Sequence, residues 1–187
     1  MDQPGLFELD GDRPPRGVAG LPAEVWRTLV DHAATRERYA ARVYRRGPQE
    51  CWYWLGTISS TGHGKLRAGS RSESTSRIVT AHVYGYQLRY GVLAPRPGED
   101  LVISHACDEY SCQNPAHWHA EPRAENNRER EARRWRAAGA LADARGAQGR
   151  AVAVRDAIRA ARDAGEDVEV AIAAATAAGM VEAERLL

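Results

Sequence analysis

Cys107, Cys112 and His117 stand five residues apart in one turn-rich stretch, and Cys51 is the only other cysteine in the chain. Three thiolates and one imidazole form a closed tetrahedral donor set of the structural kind, the arrangement zinc favours when no position is left for substrate. An odd number of cysteines argues against a disulfide framework and for metal ligation. Such a staple would pin the segment at Cys51 to the loop at 107–117, adding folding energy to a chain with a small apolar core. His119 lies two residues past His117 and would share its face on a strand, but the even spacing favours His117.

The elements that must position these residues can be read from periodicity. Val25, Trp26, Leu29 and Val30 recur at helical spacing after Leu21-Pro22, and a second amphipathic helix is expected over Arg36 to Arg46. Cys51 to Ile58 reads as a strand, Ser59 to Gly62 as a turn, Gly64 to Ala68 as a returning strand and Arg77 to Thr80 as a further short one. Ala81 to Tyr90 is expected to be a helix closed by Gly91. Leu101 to Ile103 is a short strand running into Ser104-His105, His117 to Ala120 its partner, and Arg123 to Ala138 a charged helix. The fold class expected is therefore α+β. A disordered N-terminus is expected over residues 1–20, one domain over 21–138, a linker over 139–150 and a helical tail over 151–187. The tail breaks at Gly165 and Gly179 and has the outline of a degenerate helix-turn-helix. Its last helix is short and acidic, so a dimerisation or core-covering pair fits it equally well.

The pattern His105-x-Cys107-x4-Cys112-x-Asn114-Pro115-x-His117 resembles the zinc-loop HNH endonucleases (the ββα-metal or His-Me finger class) encoded by phages and mobile introns. Arg42-Val43, Gly47-Pro48, Cys51-Trp52-x-Trp54-x-Gly56, Gly62-x-Gly64 and Ala81-His82 resemble their phage-borne members, over roughly residues 36–130. The resemblance implies a ββα-metal core with a zinc-binding loop, preceded by a hairpin and helix. It implies hydrolysis of DNA phosphodiesters to 5′-phosphate and 3′-hydroxyl ends. His105 would be the general base, since a neutral imidazole titrates near operating pH. Asn126, at the family's spacing from His117, would hold one Mg²⁺ through a hard oxygen; Asn127 would point about 100° away. Some members grip the scissile phosphate with an arginine ahead of the first helix. Arg77 holds that position, with Arg67 and Arg71 as competitors. The family usually has Gly-Thr before the last helix where this chain has Glu121-Pro122, which bears on activity more than on fold. A zinc-stapled DNA-binding module without catalysis is the alternative reading, and retention of both His105 and Asn126 favours the enzyme.

Arg128, Arg130, Arg133 and Arg134 on the charged helix are candidate contacts to double-stranded DNA, although Glu125, Glu129 and Glu131 pair with part of that face. The net charge of +1 divides unevenly. Residues 1–20 carry four acids against two arginines and residues 151–187 seven against four, which leaves the middle at about +6. Lys65 is the only lysine among 26 basic residues, so forked guanidinium donors dominate. No apolar run reaches membrane-spanning length and no signal-peptide order opens the chain, so a cytoplasmic protein without a membrane partner is expected. A homodimer is compatible with the tail. His82 is expected to pack at a helix start, His63 to sit in a turn, His32 on a helix surface, and Trp52 and Trp54 in the core.

Overall fold

The computed structural model describes residues 18–96, 98–134 and 139–180. Most of the N-terminal stretch expected to be disordered, the end of the charged helix at 135–138 and the segment 181–187 lie outside these residues. Among the described residues the chain is α+β, with six α-helices and three small antiparallel sheets. No described helix is long and apolar enough to cross a membrane.

The spacing of Trp26 and Leu29 gives α1 (Ala23–Asp31) one buried stripe, and the Trp26 indole donates to Val18 O at 2.9 Å. His32, expected on a helix surface, stands half-buried at a helix start instead. It caps α2 (Ala33–Ala40), where its Nδ1 accepts from Thr35 N at 3.1 Å. The periodicity predicts that this helix runs to Arg46, but it stops at Ala40. Val43 and Tyr44 instead form β1 (Val43–Tyr44), paired antiparallel with β2 (Tyr53–Trp54). Tertiary pairing has overridden a helical pattern there.

The single strand expected over Cys51 to Ile58 divides in two. Beyond Leu55-Gly56 the chain turns into β3 (Thr57–Ile58), which joins β4 (Gly64–Ala68) and β5 (Arg77–Thr80) in a second sheet. The pivot is Trp54, fully buried between Gly56 and Gly64. A Cβ at either glycine would lie 2.5 Å from its indole, so only glycine admits the ring. Trp52 is half-buried, its indole donating to Arg46 O at 3.1 Å, so only Trp54 meets the expectation of core packing for the pair.

Helix α3 (Ala81–Tyr90) follows β5 without a loop and buries Ala81, His82, Val83, Tyr84, Gly85 and Gln87. After it, β6 (Leu101–His105) and β7 (Trp118–Pro122) form a hairpin in which Leu101 faces Pro122 and His105 faces Trp118. The chain runs directly into α4 (Arg123–Arg134), whose start is held by Arg123 N on Asp100 O at 2.8 Å. The main core joins these parts through Trp26, Leu29, Trp54, Leu66, Tyr84 and Trp118.

Two further helices, α5 (Gly146–Ala164) and α6 (Val168–Ala177), bring Val154, Ile158 and Ile172 against Tyr53 and Leu55 in a second core. A buried ion pair reinforces that contact. Arg150 Nε lies 2.7 Å from Glu109 Oε2, and Glu109 is only 3% exposed. The other carboxylate oxygen of Glu109 accepts from Ser111 N and Oγ. Removing one member of such a pair strands a charge without solvent. Arg150→Ala is therefore expected to destabilise the fold by about 3–5 kcal/mol, read as a lower urea midpoint. An unchanged midpoint would show that the Arg150–Glu109 pair adds nothing to stability.

Candidate functional site

The four cysteine and histidine donors come from two places in the chain, the segment at Cys51 and the loop 107–117, and main-chain pairing gathers them. Trp54 N donates to Ser111 O at 3.3 Å and Gln113 N to Trp52 O at 2.7 Å, so the loop 107–117 meets β2 through one isolated antiparallel bridge, Tyr53 to Cys112. Asn114 completes the clasp. Its Nδ2 donates to Pro48 O at 2.9 Å and to Glu50 O at 2.7 Å, while its Oδ1 accepts from Ala116 N and caps the 3-10 turn that carries His117. Pro115 follows at the first helical position, where its missing N–H costs nothing.

The result is one compact group. The ligand atoms of Cys51, Cys107, Cys112 and His117 lie within 4.8 Å of one another and could hold a metal ion. His117 Nδ1 is 3.5 Å from Cys112 Sγ and 3.8 Å from Cys51 Sγ. A tetrahedral zinc with ordinary bond lengths sets such S···N edges at about 3.6 Å, so the donor set fits that ion. Asn114 N points at Cys112 Sγ from 3.4 Å, a donor of the kind that steadies a thiolate. Electrostatics tells the same story. Hydrogen bonds from the other two thiols hold Cys107 far below the usual thiol range, and those bonds keep Cys112 protonated far above it. Cys51 is also raised, chiefly by its hydrogen bond with Cys107. Three sulfurs this close cannot all ionise without a cation among them. His119, the competing ligand, is exposed on β7 and is not in the group.

His105 sits at the end of β6 beside this group. Its Nε2 donates to Cys112 O at 3.0 Å, and the Trp118 indole donates to the same carbonyl at 3.3 Å. That bond assigns the proton to Nε2 and leaves Nδ1 as the basic nitrogen. Burial is the main reason the imidazole titrates below its ordinary value. It is therefore neutral at neutral pH, as a base must be.

His105 and Asn126 line one cavity of about 430 Å³, together with His63, Ser104, Asp108, Tyr110 and Arg130. Asn126 is half-buried in the second turn of α4, whereas Asn127 is exposed and is not among the lining residues. Arg133 also lines the cavity, 3.5 Å from Asp108 and 3.5 Å from Glu129. Arg128 is exposed on the same helix.

Arg77 is exposed on β5, its guanidinium folded onto Ser76 O at 2.8 Å, and it does not line this cavity. Its competitors Arg67 and Arg71 line a separate cavity of about 630 Å³ with Arg38, Arg42 and Lys65. Glu121 buries one carboxylate oxygen without a hydrogen-bond partner and is not among the residues lining this cavity.

Spacing does not reveal two further residues beside His105. His63 and His82 come from a turn and a helix start, yet ring nitrogens of His63, His82 and His105 lie within 4.8 Å of one another. The only signal in the sequence is that histidines are few and these three flank the segments expected to meet. Comparison with known proteins finds no matching family model, curated protein or solved structure.

Proposed function

We propose that the chain is a zinc-stapled, metal-dependent DNA endonuclease whose β6–β7–α4 unit is a ββα-metal centre. The observation that carries this reading is the shared cavity of His105 and Asn126, with the basic nitrogen of His105 identified by its bond to Cys112 O.

The Cys51, Cys107, Cys112 and His117 donors would hold a structural zinc, whose closed coordination keeps it out of the chemistry. Its role is mechanical: it fixes the loop whose carbonyl orients His105. The Nδ1 of His105 takes the proton from a water attacking phosphorus, and burial keeps that imidazole unprotonated between turnovers. Asn126 offers a hard oxygen suited to Mg²⁺, with the substrate phosphate and waters completing the shell. When bound, that cation supplies Lewis-acid stabilisation of the leaving oxygen. Arg130 and exposed Arg128 lie on the helix beside the cavity and can follow the phosphate backbone, whereas Arg133 first has to leave its acidic partners.

The test is conversion of supercoiled plasmid to nicked or linear forms by the full chain with Mg²⁺, followed by ligation of the products. Ligatable ends bearing 5′-phosphate support the reading. DNA binding without any cleavage across Mg²⁺ and Mn²⁺ would reduce the protein to a zinc-stapled binding module.

A further inference from the structure

Three histidines meet beside the cavity: His63 from the turn before β4, His82 from the start of α3 and His105 from the end of β6. Their ring centroids are 4.2 Å apart for His82 and His105, 5.3 Å for His63 and His82, and 6.1 Å for His63 and His105. Each ring is already held by one nitrogen. His82 Nε2 donates to Ile103 O at 3.0 Å, His105 Nε2 donates to Cys112 O at 3.0 Å, and His63 Nδ1 meets Thr61 Oγ1 at 2.9 Å. Tyr110 stacks on His63 at 4.9 Å and fixes its plane. This is the pattern of metal-bound imidazoles, in which one nitrogen is anchored to an oxygen and the other presents its lone pair to the ion. The nitrogen left over on His82 carries the clearest sign. His82 is 3% exposed, and its Nδ1 is buried without any hydrogen-bond partner. An unpaired buried nitrogen is costly, and a ligand is one way to satisfy it.

We infer that His63, His82 and His105 form a second metal site, selective for late first-row divalent ions such as Zn²⁺ and Co²⁺ and separate from the cysteine site. Neutral nitrogen donors exclude Mg²⁺, which requires oxygen, and favour the imidazole-binding metals. Three protein ligands leave a fourth position, and the neighbouring cavity can fill it with water or an anion. Lys65 is the opposing charge, and its Nζ is engaged with Thr80 Oγ1 at 3.2 Å. Closing the site needs only small ring movements, because a tetrahedral ion sets N···N edges at about 3.3 Å.

One consequence rests on the endonuclease reading. A metal on His105 occupies the lone pair that would accept the proton, so excess zinc would silence the base while leaving the zinc staple in place.

The experiment is metal titration of the full chain carrying one equivalent of zinc, with Co²⁺ as the probe. Wild type is expected to take up about one further equivalent, with visible bands of nitrogen and oxygen ligation and no sulfur charge-transfer band. His63→Ala, on a half-buried turn, should lose that equivalent and keep the first; unchanged circular dichroism certifies its fold. His82→Gln gives a second, independent loss. Absence of the further equivalent in wild type, or its survival in both variants, overturns the site. The same titration run during plasmid nicking reads the consequence separately: inhibition present in wild type and absent in His63→Ala supports it, and equal inhibition of both rejects it. A chain that cuts no DNA would refute the nuclease reading and leave the binding result intact.

Discussion

His105→Ala is expected to lower Mg²⁺-dependent DNA cleavage by about 10²–10⁴-fold. The size follows from what is lost. A positioned base contributes that factor by taking the proton as the bond to phosphorus forms, which corresponds to about 3–5 kcal/mol of barrier. Position here is set by one bond, from Nε2 to Cys112 O, so the remaining nitrogen faces its task in a fixed tautomer. Alanine also removes a buried donor from that carbonyl, but the Trp118 indole still serves it. The staple should therefore survive, and zinc content and thermal midpoint are the controls. DNA affinity should change little, because the imidazole is neutral and adds no charge to the proposed phosphate-binding face. A folded, zinc-loaded variant that cuts within threefold of wild type would sink the assignment of the base.

Cys112→Ser is expected to abolish both metal binding and cooperative folding of the hairpin-loop region. Cys112 has no exposed surface, and its sulfur lies among Cys51, Cys107 and His117. Serine offers a hydroxyl that is a far poorer zinc ligand, and it leaves the half-buried Cys51 and Cys107 thiols without their partner. Binding of a structural zinc by such a set is worth on the order of 10 kcal/mol in small zinc domains, comparable with the whole stability of a domain. The loss would spread along three routes already traced: the Trp52–Gln113 and Trp54–Ser111 pairing, the Asn114 clasp, and the carbonyl of residue 112 that orients His105. Metal analysis together with thermal unfolding checks this, and a chelator should reproduce the effect in wild type. A variant that unfolds like wild type, or a wild type purified without metal yet fully folded, would show that the cluster is ordinary packing of small apolar side chains.

How much of this could be read before the chain was folded differs from residue to residue. The cysteine and histidine group was legible because sulfur and imidazole are rare donors and their even spacing suits a loop around one ion. Asn114-Pro115 had meaning only as part of a motif; the clasp on Pro48 and Glu50 supplies its mechanism. His105 and Asn126 were candidates by resemblance alone, and the structure places both on one cavity lining. Arg77 was a candidate from its position ahead of α3, but position along a strand does not fix where a long side chain reaches, and its guanidinium lies outside that cavity.

Local pattern by itself determined the α+β class, the helical stripe of Trp26 and Leu29, the strand leading into His105 and the donor set for one ion. Periodicity and ligand chemistry are properties of neighbours in sequence, so they survive without a third dimension. The early end of α2, the division of the 51–58 strand around Trp54, the union of α5 with the loop 107–117 through Arg150 and Glu109, and the meeting of His63, His82 and His105 were decided by tertiary structure alone. Each depends on which surfaces bury one another. No spacing rule links residues that a turn, a helix start and a strand end bring together only after the core has closed.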